Sequence, residues 1–149
     1  MIELKKKILS EVERLLEEKA KQMRSQLVVI REDASASGKS SMGDKYETTR
    51  EMLKQEEMKV GGQLEICEKQ LKQVRFMPTV SADQVANGSL IRSGNLYFMI
   101  LTSIGKVQVD NQDIFVVSAV APIAKMLLKR RVGESYTFNG KSLQIDELA

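Results

Sequence analysis

The chain has 149 residues, 42% of them hydrophobic and 29% charged, with a formal net charge of +3 and neither histidine nor tryptophan. A single cysteine, Cys67, excludes an intramolecular disulfide, and with no histidine beside it zinc sites and His-dependent catalytic triads are excluded too. Aromatics make up only 5%, which advertises no large aromatic-lined ligand cavity, and no apolar run approaches the roughly eighteen residues that span a bilayer.

The beginning, Met1-Ile2-Glu3-Leu4-Lys5-Lys6-Lys7, lacks the apolar core of a signal peptide, so a soluble cytoplasmic protein is expected. From Leu4 the apolar positions run Ile8, Val12, Leu15, Leu16, Ala20, Met23, Leu27 and Ile30, in steps of mostly three and four. A second series, Tyr46, Leu53, Val60, Leu64, Cys67, Leu71 and Val74, keeps the same rhythm, with Thr49 and Glu56 on its stripe. Two such seams flanked by Glu and Lys predict two helices of about thirty residues packed as a coiled coil. The connection between them is short and polar (Asp33 to Gly43), so the helices must fold back antiparallel. Cys67 falls on the seam and reads as a core thiol. Gly61-Gly62 costs about 1 kcal/mol per residue relative to alanine and predicts a bend or a close helix approach rather than a break.

The tip between the helices carries Gly43-Asp44-Lys45-Tyr46-Glu47, with Ser35, Ser37, Ser40 and Ser41 keeping the preceding turn polar. Asp44 and Glu47, three residues apart at a helix start, point to one side. An ordinary capping box, Asp44 as N-cap and Glu47 at N3, accounts for the same pair, and the two roles are compatible.

After Phe76-Met77-Pro78 the helical rhythm stops, because proline cannot continue a helix interior. Short β-type runs follow: Gly88 to Arg92, a turn at Ser93-Gly94-Asn95, then Leu96 to Thr102 and Lys106 to Val109. Asp110-Asn111 turns into Ile114 to Ser118. Ala121 to Lys129 predicts a short helix opened by Pro122, and Tyr136 to Phe138, Asn139-Gly140 and Ser142 to Leu148 a last hairpin. The fold class is therefore α+β: an antiparallel coiled-coil hairpin over residues 1–77, with its tip at about 34–47, then a small antiparallel-sheet domain with one short helix over 78–149. That domain offers no nucleophile–base pair and no glycine-rich phosphate loop. The one basic cluster, Lys125 with Lys129-Arg130-Arg131, reads as a solvated surface or as a contact for a polyanion or an acidic protein.

Several segments resemble the GreA/GreB family of bacterial transcript-cleavage factors, in the family's order. Asn87-Gly88-Ser89-Leu90-Ile91 is similar to its "GS-x-V" strand start, and Val117 to Leu128 to its "ISxxSPLGxALLG" segment. Val132-Gly133-Glu134 is similar to its "VGD", and Leu143 to Leu148 to its closing strand. At the tip the family motif G-D-L-S-E-N-A-E-Y is matched by Gly43 to Glu51, with the two acidic positions falling on Asp44 and Glu47. Thr48 stands where the family has Asn, and Arg50 reverses the charge of the next acidic position.

The resemblance implies an FKBP-like second domain and an elongation factor that binds RNA polymerase and inserts the hairpin tip into the secondary channel. There it would stimulate the polymerase's own Mg²⁺-dependent cleavage of backtracked RNA, contacting nascent RNA only indirectly. On that reading the chain is no enzyme by itself: Asp44 and Glu47 are the catalytic and metal-binding carboxylates, only within the polymerase complex, and Mg²⁺ is shared with the polymerase. It takes no cofactor in isolation and no membrane partner. Ser118, Pro122, Lys125, Lys129, Arg130 and Arg131 are the polymerase-docking candidates, beside an exposed edge expected near Val117 to Ala121. A monomer is compatible with all of this, although a coiled-coil seam can also pair with another copy. Two alternatives remain open: a non-cleaving modulator or inhibitor in the same channel, favoured by Lys45 and Arg50 beside the acids, and a coiled-coil adaptor unrelated to polymerase. Prolyl isomerase activity is disfavoured, since fold does not fix function.

Overall fold

The computed structural model describes residues 1–37 and 43–149, apart from the side chains of Ser37, Asp44 and Tyr46. Two long helices, α1 (Ile2–Ser37) and α2 (Gly43–Arg75), are followed by β1 (Leu90–Ser93), β2 (Leu96–Ile100), β3 (Gly105–Val109) and β4 (Gln112–Val117). Then come α3 (Pro122–Leu127), β5 (Ser135–Phe138), β6 (Lys141–Gln144) and β7 (Glu147–Leu148). The chain divides into two compact units, Leu15–Lys72 and Met1–Arg14 with Gln73–Ala149. The first turns of α1 and the end of α2 thus belong with the sheet.

The helical unit is an antiparallel hairpin. Arg24 pairs with Glu68 at 3.2 Å and Arg31 with Glu57 at 2.9 Å, so partners descend on α2 as they rise on α1. Leu16, Ala20, Met23, Leu27 and Ile30 are buried against Val60, Cys67 and Leu71 along the expected seam. The Cys67 thiol, 1% exposed, donates to the Leu16 carbonyl at 3.2 Å, which makes it a packed core group. Thr49 and Glu56 do not lie on the stripe; both are exposed, and Glu57 takes the inward position. The reason is register: from Leu53 and Val60 the heptad passes through position 57, not 56.

Helix α2 runs unbroken through Gly61-Gly62. The close helix approach expected there does not occur, since a Cβ added at either glycine meets nothing within 4 Å. Gly61→Ala is therefore expected to stabilise the hairpin by about 1 kcal/mol, from helix propensity alone. Urea unfolding followed by circular dichroism measures it; a loss of stability would mean that the glycine has an unseen steric role.

In the second unit a five-stranded sheet has the order β3-β4-β2-β1-β7, and β5 with β6 forms a separate two-stranded sheet. Every pair is antiparallel except β2–β4, which is parallel. Two-residue turns close the hairpins. At Asp110-Asn111 (φ 52° and 60°) and Asn139-Gly140 (φ 49° and 77°) both residues are left-handed, as the type I′ turn requires. The run predicted from Ser142 to Leu148 is split at the buried Ile145: β6 completes a hairpin with β5, while β7 crosses over to pair with β1.

One face of the sheet presents Ile91, Phe98 and Ile100 to Ala124 and Leu127 of α3 and to Tyr136 of β5, closing a core with Val85 and Ile145. Phe98 stacks on Phe115 at 5.7 Å and meets Phe138 edge-on at 5.4 Å, the offset and T-shaped geometries that ring quadrupoles favour. The Tyr136 hydroxyl donates to the Ser93 hydroxyl at 2.8 Å. Burial pushes the Tyr136 phenol above its usual range. A raised folded value means the folded chain keeps a proton that the unfolded chain releases. The contribution is complete below the ordinary tyrosine value and is lost as pH rises through the folded one. Tyr136→Phe is therefore expected to cost about 1 kcal/mol at neutral pH, one hydrogen bond, and to flatten the alkaline loss of stability above about pH 10. Chemical denaturation of both proteins from pH 7 to 11 measures it; parallel alkaline limbs would refute the assignment.

Side chains tie the helix ends in this unit to the loops of the sheet and to each other. Gln73 donates to the Leu101 carbonyl at 2.8 Å, Lys7 meets Asp110 at 2.7 Å, and Arg75 pairs with Glu13 at 2.7 Å.

Candidate functional site at the hairpin tip

The tip expectation rests on the start of α2. The turn itself, with Ser40 and Ser41, lies outside the described residues, as do the side chains of Ser37, Asp44 and Tyr46. The backbone of Gly43 is already helical, which places Asp44 within the first turn rather than at the N-cap expected of it. Glu47 is described and exposed. It lines a shallow depression with Ala34 of α1 and Arg50, Glu51, Lys54 and Glu57 of α2. Positions 47, 50, 51 and 54 follow helical spacing, so one face gathers these charges. The spacing of Glu51 and Lys54 from Glu47 is readable in the sequence, whereas the share of Ala34 requires the hairpin to close.

Three carboxylates and two cations in one depression leave it close to neutral. Arg31 further offsets Glu57, at 2.9 Å. Among the described residues no group of three or more His, Cys, Asp or Glu converges as a cation site. Glu47, as one carboxylate, offers one or two of the oxygen ligands that a hard cation takes. Among those residues, too, no helix is long and apolar enough to cross a membrane.

The other candidates gather around α3. Ser118 is half-buried, and its carbonyl accepts the Ala121 N–H at 3.1 Å. Pro122 is exposed as the first residue of α3, and Lys125 is exposed in its last turn. The helix stops at Leu127, short of the expected Lys129, because Leu128 turns extended and Lys129 adopts a left-handed φ of 69°. The Lys129 N–H then donates to Val85 and the Val85 N–H to Arg130, both at 2.8 Å. Arg130 is not a free surface cation. Its guanidinium donates to the Met126 carbonyl at the end of α3 at 2.6 Å, a group the short helix leaves open, and to the Ser135 carbonyl of β5 at 2.9 Å. Lys125, Lys129 and Arg131 remain exposed, interleaved with the exposed apolar side chains Val120, Met126 and Val132. The strand leading there, β4, is not the exposed edge expected near Val117; it lies inside the sheet, and the edges are β3 and β7.

Sequence reasoning misses Lys5, which sits in a run of three lysines. It is 3% exposed, its amine reaches the Val80 carbonyl at 3.4 Å, and burial lowers its pKa.

The architecture is that of a helical-hairpin protein with a small sheet unit. No known protein-family profile matches the chain. No curated protein matches it either. Among solved structures it is similar to the transcription factor Gfh1, with 18% identity and a TM-score of 0.39 over 91% of this chain and 92% of that one. It is also similar to GreA factor homolog 1 (Gfh1) of Thermus thermophilus, at 16% identity and TM-score 0.36 over 92% and 94% of the two chains. Thermus aquaticus Gfh1 gives 16% identity and TM-score 0.38 over 91% and 92%.

Proposed function

We propose that this chain is an accessory factor of RNA polymerase that acts by inserting its hairpin tip into the polymerase's secondary channel. The observation that carries the reading is the exposed Glu47, three residues after Asp44, in the opening turns of α2 and in the frame of the family's tip motif. In the cleavage-stimulating form of this function, Asp44 and Glu47 add oxygen ligands beside metal already held by the polymerase. Mg²⁺ there supplies Lewis-acid stabilisation and an activated water for hydrolysis of the RNA phosphodiester. The chain's own part is to deliver and orient carboxylates. The exposed Lys125, Lys129 and Arg131, with Val120 and Met126 between them, provide a mixed basic and apolar surface suited to docking on the polymerase.

A second reading, a non-cleaving modulator of the same channel, is supported by Arg50 and Lys54 sharing the depression with Glu47. Cations there compete for the carboxylate that the metal would need. Cleavage in a purified, artificially backtracked elongation complex with Mg²⁺ separates the two. The wild type is expected to stimulate cleavage, and Asp44→Ala/Glu47→Ala to lose it by roughly 10- to 100-fold, the usual range for a group supporting a metal site. Binding without stimulation, together with a gain on Arg50→Glu, would establish the modulator. No binding to polymerase at all would end both readings.

A further inference from the structure

Between the end of α2 at Arg75 and the start of β1 at Leu90 the chain forms neither helix nor strand. The later part of this segment is tied down by backbone bonds at 2.8 Å from Val85 to Lys129 and Arg130. Nearer α2 the ties are looser: the Met77 N–H reaches the Val74 carbonyl at 3.2 Å, and the Lys5 amine reaches Val80 at 3.4 Å. A side chain supplies the closer contact there. The half-buried Met77 lies against Gly88, where an added Cβ would collide with its sulfur. That Cβ would also stand 3.2 Å from the Met77 Cγ and 3.4 Å from its Cε, so the whole end of the thioether rests on bare backbone. Gly88 is not free to move aside, because its N–H is held to the Ile100 carbonyl at 2.6 Å.

We infer that Met77 is an oxidation site through which a peroxide loosens this segment. The other methionines fall into two groups on either side of it. Met52, Met58 and Met126 are 66%, 69% and 47% exposed, so an oxygen on their sulfurs meets mostly solvent. Met23 and Met99, 7% and 0% exposed, are closed to a dissolved reagent. Met77 combines partial exposure with a contact that leaves no room at the sulfur. In the reaction a sulfur lone pair attacks one oxygen of hydrogen peroxide and the O–O bond breaks. The sulfur is oxidised by two electrons to the sulfoxide, and the other oxygen leaves as water with both protons. The product is polar and bulkier where the thioether was apolar and closely packed. Its oxygen cannot stay against Gly88, and burying it without a hydrogen-bond partner is unfavourable. The side chain must therefore leave the glycine, and the segment loses the contact that closes it onto the start of the sheet. Sulfoxide reduction reverses the change.

Phe76, the preceding residue, is 77% exposed, so chymotrypsin cleavage after it reports the loosening directly. The full chain is treated with increasing hydrogen peroxide, and mass spectrometry of its peptides assigns each added oxygen. Met52, Met58 and Met126 are expected to react first and Met77 next. Oxidation of Met77 should lower the midpoint of thermal unfolding by about 5 °C or more. It should also speed cleavage after Phe76 roughly tenfold, as a larger open population does. Treatment with methionine sulfoxide reductase should restore both values. Met77→Leu keeps an apolar side chain of similar volume without the sulfur, and the same peroxide should change neither readout in that protein. A Met52→Leu/Met58→Leu/Met126→Leu protein retains Met77 and should show the full loss, which keeps the test decisive if Met77→Leu does not fold. Met77 left unoxidised after the three exposed methionines have reacted completely overturns the inference. So does an equal loss in Met77→Leu, or no loss in the triple variant. No polymerase is present in these measurements, so their outcome is independent of the function proposed above.

Discussion

Phe98→Ala is expected to lower the stability of the sheet unit by about 3–5 kcal/mol, enough to unfold a unit of this size near physiological temperature. Phe98 is 1% exposed and contacts both Phe115 in the five-stranded sheet and Phe138 in the two-stranded one. Its ring joins elements that share no strand pairing. Truncation loses the transfer free energy of the ring, opens a cavity between the sheets and removes both aromatic contacts. Hydrogen exchange localises the effect: amides of β1, β2 and β5 should lose protection, while those of Leu15–Lys72 should not. A cost below about 1 kcal/mol would mean that the two sheets hold together without the ring.

Gly88→Ala is the second large effect, expected at about 2–3 kcal/mol. The left-handed φ of 90° accounts for about 1–2 kcal/mol of strain for any residue with a Cβ. The new methyl would also crowd the Met77 sulfur, so that half-buried side chain must move. The Gly88 N–H is held to the Ile100 carbonyl at 2.6 Å, which limits relaxation of the backbone. Met77 being flexible, the two costs are separable: Met77→Ala should remove the crowding and leave the strain. In a double-mutant cycle the Gly88 substitution should therefore cost less in the Met77→Ala background, by about 1 kcal/mol. Additive costs would place the whole penalty in the backbone.

Local chemistry explains what can be read from the sequence. The heptad rhythm of α1 and α2 marks nearly every buried seam residue, because a side chain's face on a long helix depends only on its position in the repeat. Asp110-Asn111 and Asn139-Gly140 announce their turns because few residue pairs tolerate two consecutive left-handed conformations. Sequence and structure part where the outcome depends on a distant partner. The pattern puts Glu56 on the stripe although Glu57 occupies it, since a polar residue within a seam carries no hydrophobic signal and only Arg31 across the hairpin shows which one faces inward. Lys5 resembles one of three solvated lysines, and Arg130 one of a basic patch; the first is buried and the second satisfies two backbone carbonyls.

The candidate site divides along the same line. Asp44 and Glu47 stand out by their three-residue spacing at a helix start, a purely local pattern. That Arg50, Glu51 and Lys54 share a depression with Glu47 follows from helical spacing, but its opposite wall at Ala34 exists only once α1 folds back.

The hairpin, the change from helix to strand after Pro78 and the turn positions are legible in the residue order alone, because each depends on the periodicity or backbone preference of a few neighbouring residues. That β2 and β4 pair in parallel, that β4 is interior and that β7 leaves β6 for β1 emerges only in the folded chain. These outcomes depend on which surfaces meet across long stretches of chain. Burial free energy summed over many contacts settles such meetings, and no short run of residues encodes that sum.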